Sequence, residues 1–389
     1  MSYPKLLADI GGTNARFALE TAQGQIEAVQ VLPCAGYASL SLAMRAYLQD
    51  AASIAAGAAE VRQAGIAIAN PVHDDQVQMT NHHWSFSITA VQAEFGLDSL
   101  IVVNDFTALA MSLPMLSTAQ KYQAGGQPAL PKAAIGLLGA GTGLGVSGLV
   151  WTENAWVPLH SEGGHVSFTP ANALEIDILR FAWQEFEHVS AERLLSGPGL
   201  RLIYRALAAR RQKATEETGG TEKAAKAIDD IDAPEILLRG LDNTCPLCRE
   251  VLSVFCDMLG TMAGNLAVTL GARGGIYIGG GIVPRLGDFL LRSGFRQRFE
   301  QKGRFSAYLA EVPVYVITEA YPAFIGLSAI LTATEKSVLP GTGADLTDIA
   351  DVAVYASTLA DTRTAHDLPE HGMVTGSGFI PATASIRYT

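Results

Sequence analysis

The chain opens with two apolar segments that flank a polar, glycine-rich turn. Lys5 to Ile10 and Ala15 to Glu20 are the apolar segments, and Gly11-Gly12-Thr13-Asn14 lies between them. Short apolar runs on either side of such a turn predict two strands joined by a hairpin. The arrangement recurs at Ala133 to Leu138 and Leu144 to Trp151, around a turn made mainly of glycines. The recurrence predicts two related lobes that face one cleft.

The remaining apolar patterns predict an α/β chain. The stretch from Leu116 to Lys132, rich in Gln, Gly and Pro, predicts a crossing between the lobes. The charged stretch from Arg210 to Asp232 predicts a solvated helix and loop, and Leu346 to Leu359 has the spacing of one amphipathic helix. Further predicted strands are Ala64 to Ala69, Leu100 to Val103, Gly275 to Ile278 and Val312 to Thr318, and further predicted helices are Leu40 to Ala56, most of 170–210 and 235–271, and Ala323 to Thr334.

Composition adds a size and a charge to this picture. The chain has 389 residues, of which 49% are hydrophobic, and this is enough to fill two domain cores. Its 27 Lys and Arg residues stand against 38 Asp and Glu residues, and the net charge of -11 argues against nucleic acid and anionic membranes as partners. No apolar stretch approaches the roughly 18 uninterrupted residues of a membrane span. We expect a soluble, cytoplasmic protein.

Three of the four cysteines lie in a segment with helical periodicity. Cys245, Cys248 and Cys256 would share one face of that helix. A zinc site at Cys245 and Cys248 needs further ligands, and no second Cys pair or paired His follows at the usual spacing. We therefore expect buried structural thiols.

The first candidate for chemistry is Asp9, at the end of the first predicted strand. The turn that follows has amides unobstructed by side chains, so it could hold phosphate oxygens while Asp9 holds a hydrated Mg²⁺. An ordinary hairpin, in which two glycines are common, explains these residues equally well.

The second turn contains a misleading match to the dinucleotide-binding pattern. Gly143-Leu144-Gly145-Val146-Ser147-Gly148 fits G-x-G-x-x-G. That pattern requires the glycines to open a helix, whereas Val146 to Trp151 has the pattern of a strand, so we reject a dinucleotide fold. The sequence contains no G-x-x-x-x-G-K-[ST] loop, which excludes the P-loop kinases.

Asp105 follows the predicted strand Leu100 to Val103 and starts a predicted helix. Ligands of α/β folds bind at the carboxyl ends of strands, where an acid can accept a hydroxyl proton. Capping of the helix is a frequent use of Asp, and this motif taken alone favours capping.

Two further groups of residues suit a sugar and a nucleoside. Glu162 and His165, with Glu192 further on, offer donors and acceptors for sugar hydroxyls, although a lone His or Glu is more often structural. Gly279, Gly280 and Gly281 follow a predicted strand, and backbone without side chains would let an adenosine approach closely. A close-packed junction of strand and helix is the alternative there.

Taken together, in order and spacing, these five motifs resemble bacterial glucokinase of the hexokinase and actin superfamily, in its proteobacterial branch. The resemblance runs from about Leu6 to Leu331, apart from a divergent region between Ala209 and Pro234. It implies an α/β, two-lobed actin-like ATPase (ribonuclease H-like) sugar kinase fold with a cleft between lobes. The implied domains are a small one of residues 1–115 plus 314–334, a large one of residues 116–313, and an unassigned C-terminal extension of residues 335–389.

The resemblance also implies a reaction and its residues. The reaction is ATP-dependent phosphorylation of D-glucose to glucose 6-phosphate, the first step of glycolysis, with Mg²⁺ as cofactor and a homodimer as the expected assembly. Asp105 is the implied general base, and two glycine-rich hairpins hold Mg-ATP, with Asp9 contacting the metal through water. The implied sugar-binding residues are Asn104, Asp105, Glu162, His165 and Glu192, and the implied ATP-binding residues are Ala8, Asp9, Ile10, Gly11, Gly12, Thr13, Asn14, Gly141, Thr142, Gly143, Gly279, Gly280 and Gly281.

Two other classes of protein share parts of this pattern. A sugar-responsive repressor would bind DNA, but we expect no helix-turn-helix ahead of Lys5, the sequence has no Cys-x-Cys-Gly zinc signature, and its net charge is strongly negative. An actin-like filament or chaperone ATPase would use the phosphate hairpins but has no need of a carboxylate and His cluster. The sequence therefore favours the kinase.

Overall fold

Two β-sheets organise the chain in the computed structural model, which describes residues 3–80, 82–217 and 231–338. A separate two-stranded ribbon lies between the strands of the first sheet in the sequence. The strands are β1 (Lys5–Ile10), β2 (Asn14–Ala22), β3 (Gln25–Pro33), β4 (Gln63–Ile68), β5 (Gln76–Gln78), β6 (Ser85–Ser87), β7 (Ser99–Asn104), β8 (Lys121–Gln123), β9 (Ile135–Ala140), β10 (Leu144–Trp151), β11 (Trp156–Leu159), β12 (Ile276–Gly279) and β13 (Val314–Ile317).

Fourteen α-helices are present among the described residues. They are α1 (Leu40–Leu48), α2 (Ala51–Ala55), α3 (Ile88–Glu94), α4 (Asp105–Ser112), α5 (Ala173–Ala182), α6 (Ala191–Leu194), α7 (Gly197–Glu217), α8 (Ala233–Leu241), α9 (Pro246–Leu270), α10 (Val283–Leu286), α11 (Asp288–Arg292), α12 (Phe295–Glu300), α13 (Ser306–Glu311) and α14 (Pro322–Val338).

The two sheets repeat one strand plan. The first sheet has the order β3-β2-β1-β4-β7. Strands β1, β4 and β7 are parallel to one another, β2 is antiparallel to β1, and β3 is antiparallel to β2. The second has the order β11-β10-β9-β12-β13-β8, in which β9, β12 and β13 are parallel. In each sheet an antiparallel hairpin is continued by two parallel strands. Both hairpins predicted from the sequence are therefore confirmed.

Strand β1 shows why the predicted strands are continuously apolar. Leu6 belongs to a core shared with Met44 of α1, on one face of the first sheet. Leu7 belongs to a core shared with Phe324 and Leu327 of α14, on the other face. Successive side chains of a strand point to opposite faces of the sheet. Because helices cover both faces here, the apolar side chains of both sets are buried.

Helix α4 lies where the two sheets meet. On one side it packs against α14, and a Cβ added at Gly326 of α14 would lie only 1.7 Å from the Ala108 carbonyl oxygen. On the other side it packs against β10 and β11 of the second sheet. The helix that Asp105 begins is thus held by both sheets.

Four differences between the predicted elements and the structure concern the helices and the predicted domains. The predicted helix from Leu40 to Ala56 is two helices, because the Asp50 side chain accepts a hydrogen bond from Ala52 N–H and starts α2 anew. The predicted crossing after Leu116 contains β8, which pairs with β13. Strand β13 also pairs with β12, so in the predicted small-domain segment 314–334 only α14 packs on the first sheet. Helix α14 extends to Val338, beyond the predicted end.

Some predictions lie outside the described residues. These are the amphipathic helix at Leu346 to Leu359, residues 218–230 of the predicted solvated segment, and the extension beyond residue 338. Both sheets lie in one compact unit of the chain, and the predicted division into a small and a large domain stays a prediction.

Helix α9 is long and apolar enough, by length and composition alone, to cross a membrane. Most of it is buried inside the protein, where it packs against α7, α8 and α12. This burial is that of a core helix. Cys248 and Cys256 are buried on it, as predicted, whereas Cys245 is half-buried and its sulfur accepts a hydrogen bond from Cys248 N–H at 3.3 Å.

Candidate functional site

Parallel pairing brings the first candidate residues to one edge of the first sheet. Asp9 lies near the carboxyl end of β1, and Asn104 and Asp105 follow at the carboxyl end of β7, two strands away. Carboxyl ends of parallel strands are where α/β folds bind ligands. The negative charge of Asp9 acts on Asp105, so the two carboxylates belong to one site.

Asp105 is partly buried at the first turn of α4. Its carboxylate Oδ1 accepts a hydrogen bond from Phe106 N–H at 2.9 Å. The pKa of Asp105 is raised to about 6: burial is the largest cause, the charge of Asp9 also raises it, and the hydrogen bond from Phe106 lowers it. A carboxylate with this pKa is still mostly ionised at neutral pH and holds a proton better than an ordinary aspartate.

The helix cap is Asn104, not Asp105. Asn104 Oδ1 accepts hydrogen bonds from Phe106 N–H at 2.9 Å and from Thr107 N–H at 3.3 Å. Asn104 Nδ2 donates to the Asn70 carbonyl at 3.4 Å. The capping explanation of Asp105 is therefore wrong, because its neighbour already satisfies the end of the helix.

Asp9 is paired with a cation. Arg16, opposite Asp9 in the β1–β2 register, donates to Asp9 Oδ2 at 3.0 Å. Burial raises the pKa of Asp9, and the charge of Arg16 opposes the rise. The described residues contain no group of three or more His, Cys, Asp or Glu side chains placed to hold a metal ion. Mg²⁺ needs no such group, since it binds one or two carboxylates together with phosphates and waters, and Asp9 fits that pattern.

The second hairpin, between β9 and β10, meets a third glycine turn, Gly279-Gly280-Gly281, at the end of β12. Gly141 N–H donates to the Gly143 carbonyl at 2.8 Å, which closes the hairpin between β9 and β10. A Cβ added at Gly141 would lie 3.8 Å from the Gly281 amide nitrogen. Gly280 has φ of +85°, and a Cβ there would lie 2.3 Å from the Ala140 carbonyl oxygen, so only glycine suits this position. The close-packed junction of strand and helix is therefore present at these glycines, and the backbone of Gly280 and Gly281 is exposed beside the hairpin.

The turn from Glu162 to His165 docks on the start of β10. A Cβ added at Gly164 would lie 2.0 Å from the Leu144 carbonyl oxygen, so glycine is required by this close approach. Glu162 Oε2 and His165 Nε2 are 3.9 Å apart, and both side chains are exposed. His188 Nε2 donates to the His165 carbonyl at 3.1 Å. The two predicted sugar ligands therefore lie side by side and are accessible.

Glu192 lies against the second hairpin. Its Oε2 accepts a hydrogen bond from Leu144 N–H at 2.9 Å, and a Cβ added at Gly143 would lie 2.4 Å from the same oxygen. A second cavity of about 330 Å³ includes Glu192 and Thr142 of the hairpin. Arginines also line it. The other lining residues are Glu185, Phe186, Arg193, Ser196, Pro198, Arg201, Leu202 and Arg205.

The main cavity, of about 530 Å³, opens between the two sheets. Of the predicted site residues it is lined by Asn104 and Glu162. The other predicted sugar and ATP residues do not line it. Its volume is typical of sites for small molecules. The further lining residues, which the sequence analysis did not single out, are Pro71, Val72, His73, Val103, Phe106, Thr107, Val146, Ser147, Leu159, His160 and Ser161.

One sequence signal could have found part of this lining. Asn70 and Pro71 follow β4, so they lie at the same sheet edge as Asn104, and the argument used for Asp105 applies to them. His160 has no such signal. It enters the site because its Nδ1 lies 3.4 Å from Thr107 Oγ1 of α4, across the two sheets.

Comparison with known sequences identifies relatives over most of the described region. The sequence model of the Glucokinase family matches residues 6–334. The bifunctional protein glk of Paraburkholderia xenovorans (strain LB400) is 54% identical over 328 residues, which are 84% of this chain and 49% of that protein. The glucokinase of Neisseria meningitidis serogroup C / serotype 2a (strain FAM18) is 51% identical over 329 residues, which are 85% of this chain and 95% of that protein. The chain thus spans about half the length of the bifunctional relatives it matches.

Solved structures confirm the predicted α/β fold of actin-like sugar kinases. The crystal structure of glucokinase from an Antarctic psychrotroph is 38% identical, with a TM-score of 0.74 over 86% of this chain and 100% of that one. A ROK family glucokinase from Streptomyces griseus, in complex with glucose and AMPPNP, shares the fold at 18% identity, with a TM-score of 0.53 over 84% of this chain and 99% of that one. Since a family match over most of the chain agrees with relatives of the proteobacterial type more than half identical to it, this chain belongs to the glucokinase family.

Proposed function

We propose that the chain transfers the terminal phosphoryl group of ATP to the 6-hydroxyl of D-glucose, giving glucose 6-phosphate and ADP in the first step of glycolysis. Family membership supports the reaction, and the Streptomyces griseus neighbour, crystallised with glucose and AMPPNP, supports the two substrates. Two observations support the mechanism: the charge of Asp9 acts on Asp105, and the ring of the next residue, Phe106, lies against the strands of the second hairpin.

The environment of Asp105 carries this proposal. A sugar hydroxyl is a poor nucleophile, and in phosphoryl transfer its proton is lost late. A carboxylate within hydrogen-bond reach of the 6-hydroxyl can orient the oxygen and accept its proton as the new O–P bond forms and the bond to ADP breaks. With a pKa of about 6, Asp105 is ionised at neutral pH and matched to this task. The Asn104 cap and the Phe106 N–H hold it in place.

The two hairpins and the third glycine turn are the proposed ATP site. Backbone amides of residues 8–14 and 141–143 would donate to phosphate oxygens, and residues 279–281 would border the adenosine. Support comes from the meeting of Gly141 with Gly281, since it joins two of these segments. Asp9 would hold Mg²⁺ through water, and the bound metal supplies positive charge that offsets the charge on the phosphate oxygens.

Asn104, Glu162, His165 and Glu192, with Asp105, are the proposed sugar ligands. Asn104 and Glu162 line the main cavity, which supports their assignment most directly. His165 lies beside Glu162, and Glu192 binds the hairpin at Leu144. Asp105, His165 and Glu192 do not line that cavity, so for them the proposal requires that the two lobes close over the substrate.

A panel of hexoses assayed with ATP and Mg²⁺ tests the function. We expect glucose to be the preferred substrate, and we expect excess chelator to abolish turnover. Rapid turnover of another hexose with none of glucose would contradict glucose as the substrate, but the chain would still be a sugar kinase. Absence of turnover for every hexose by folded protein would contradict the kinase. A cytoplasmic location, a homodimer and the absence of nucleic acid and membrane partners stay predictions, and sedimentation at assay concentration tests the dimer.

A further inference from the structure

Phe106, which directly follows the proposed base, occupies a slot formed by two glycines of the second sheet. Gly139 on β9 and Gly145 on β10 lie opposite each other in the strand register. A Cβ added at Gly145 would lie 2.0 Å from Phe106 Cζ, and one added at Gly139 would lie 2.4 Å from the same atom. Carbon atoms do not approach this closely, so the ring fills the space that side chains at both positions would need.

Backbone conformation does not explain these two glycines. Neither has a positive φ, and both lie inside regular strands, where glycine weakens the strand. The proposed phosphate contacts do not explain them either, because those contacts belong to the turn at residues 141–143. The slot for the Phe106 ring accounts for both.

The backbone of Phe106 contacts the proposed base. Phe106 N–H donates to Asp105 Oδ1 and to Asn104 Oδ1, each at 2.9 Å. Phe106 therefore contacts the proposed base through its amide and the second sheet through its ring. Helix α4 is anchored independently on α14, at the close approach of Gly326 to Ala108. The ring is thus not needed to keep α4 on the first sheet, and what it fixes is the first turn of α4 relative to β9 and β10.

We propose that Phe106 is a positioning residue, whose ring in the Gly139–Gly145 slot sets the position of Asp105 relative to the second hairpin, and so of the base relative to the phosphoryl donor. This inference rests on the proposed role of Asp105. Phe106 also lines the main cavity, so a ring driven off the strands would enter the space proposed for substrate. A misplacement of about 1 Å can lower a rate by roughly 10²-fold.

The test is a compensating pair of substitutions, followed by kcat, glucose binding, melting temperature and the pH profile of kcat/KM. Gly145→Ala should displace the ring and lower kcat by about 10²-fold. The glucose dissociation constant should rise by a smaller factor, because the displaced ring also enters the cavity. Phe106→Leu removes the ring tip and should lower kcat by about tenfold, a smaller loss than Gly145→Ala because no ring is driven into the cavity. The two should be non-additive, so that the double variant has the kcat of Phe106→Leu alone.

Gly136→Ala is the matched control. Its Cβ would lie 2.5 Å from Ile276 Cδ1, so it crowds the same sheet without touching Phe106. We expect it to lower the melting temperature while kcat stays normal, and we expect Phe106→Leu to give it no rescue. If Gly145→Ala does not fold, Gly139→Ala tests the other wall of the slot.

The outcomes separate this inference from the proposed function. A normal kcat in a folded Gly145→Ala, or a double variant as slow as the product of both single effects, overturns the positioning role. If either result is found and Asp105→Asn nevertheless has a strongly lowered kcat, the proposed role of Asp105 as the general base is retained. A fully active Asp105→Asn overturns the base and the positioning role together.

Discussion

At the scale of single residues, Asp105 owes its properties to two neighbours and to burial. Burial and the charge of Asp9 favour its protonated form, whereas the Phe106 amide favours its ionised form. Arg16 partly neutralises Asp9 at 3.0 Å, which limits how far Asp9 can raise the pKa of Asp105. Among the described residues the site thus contains one carboxylate paired with a cation, Asp9, and one without an ion pair, Asp105, which is the better proton acceptor.

The pH dependence of catalysis follows from this difference. Asp105 must be ionised to act, and its pKa in the folded protein is about 6, so kcat/KM for glucose should fall as the pH falls below 6. Asp98→Asn is the matched control, because Asp98 is exposed and precedes β7 while Asp105 follows it. The profile of that variant should be unchanged. An acid limb near pH 4 in the unmodified protein would mean that an ordinary, hydrated carboxylate is the base.

At the scale of elements, α4 is the part on which the site depends. Its cap, Asn104, is also a proposed sugar ligand, so one side chain has two roles that a pair of substitutions can separate. Asn104→Ala removes both, whereas Asn104→Ser keeps an oxygen that can cap the helix and loses the amide donor.

We expect Asn104→Ala to lower stability by about 1 kcal/mol and Asn104→Ser to lower it by much less. Both should raise the KM for glucose, because neither has the amide of Asn104. Thermal unfolding and steady-state kinetics measure the two effects. An unchanged KM in Asn104→Ser would restrict Asn104 to its structural role, and unchanged stability in Asn104→Ala would contradict the cap.

Elements with strong local patterns could be predicted from the sequence, and contacts between distant elements could not. Both hairpins, β4 and β7 follow from apolar runs and turn residues. The break between α1 and α2 was missed, because the helical period continues through Asp50. In the site, Glu162 was found from a motif and Asn104 from the family resemblance, but Phe106 and His160 were not. Their roles come from packing between sheets, which no local spacing records.

At the scale of the whole molecule, α14 ties the end of the described chain to its beginning. Lys5 on β1 is fully buried, and its Nζ lies 3.4 Å from Glu335 Oε2 on α14. Glu20 lies opposite Lys5 in the β1–β2 register. A buried ammonium is costly unless paired, so this ion pair fixes where α14 can lie on the first sheet.

Glu335→Gln should lower the stability of the protein by about 2 to 3 kcal/mol, because it removes the carboxylate that pairs with the buried Lys5 charge. Catalysis should be unaffected at temperatures well below unfolding. The control is Asp288→Asn, which breaks an exposed pair with Arg292 and should change stability by less than about 0.5 kcal/mol. Equal effects of Glu335→Gln and Asp288→Asn would contradict the structural role of the buried pair.

The most direct test of the central claim compares Asp105→Asn with the unmodified protein in kcat, glucose binding and stability. Asn keeps the size of the side chain and an acceptor oxygen but cannot take the proton, so kcat should fall by roughly 10² to 10⁴ while glucose affinity changes little. The pKa of Asp105 is raised in the folded state, so its charge costs stability above about pH 6, and this cost disappears as the pH falls toward 3.8. The variant should therefore be more stable at pH 7.5, by on the order of 1 to 3 kcal/mol, with a difference that shrinks on acidification. A kcat within a few-fold of normal would remove Asp105 from the mechanism.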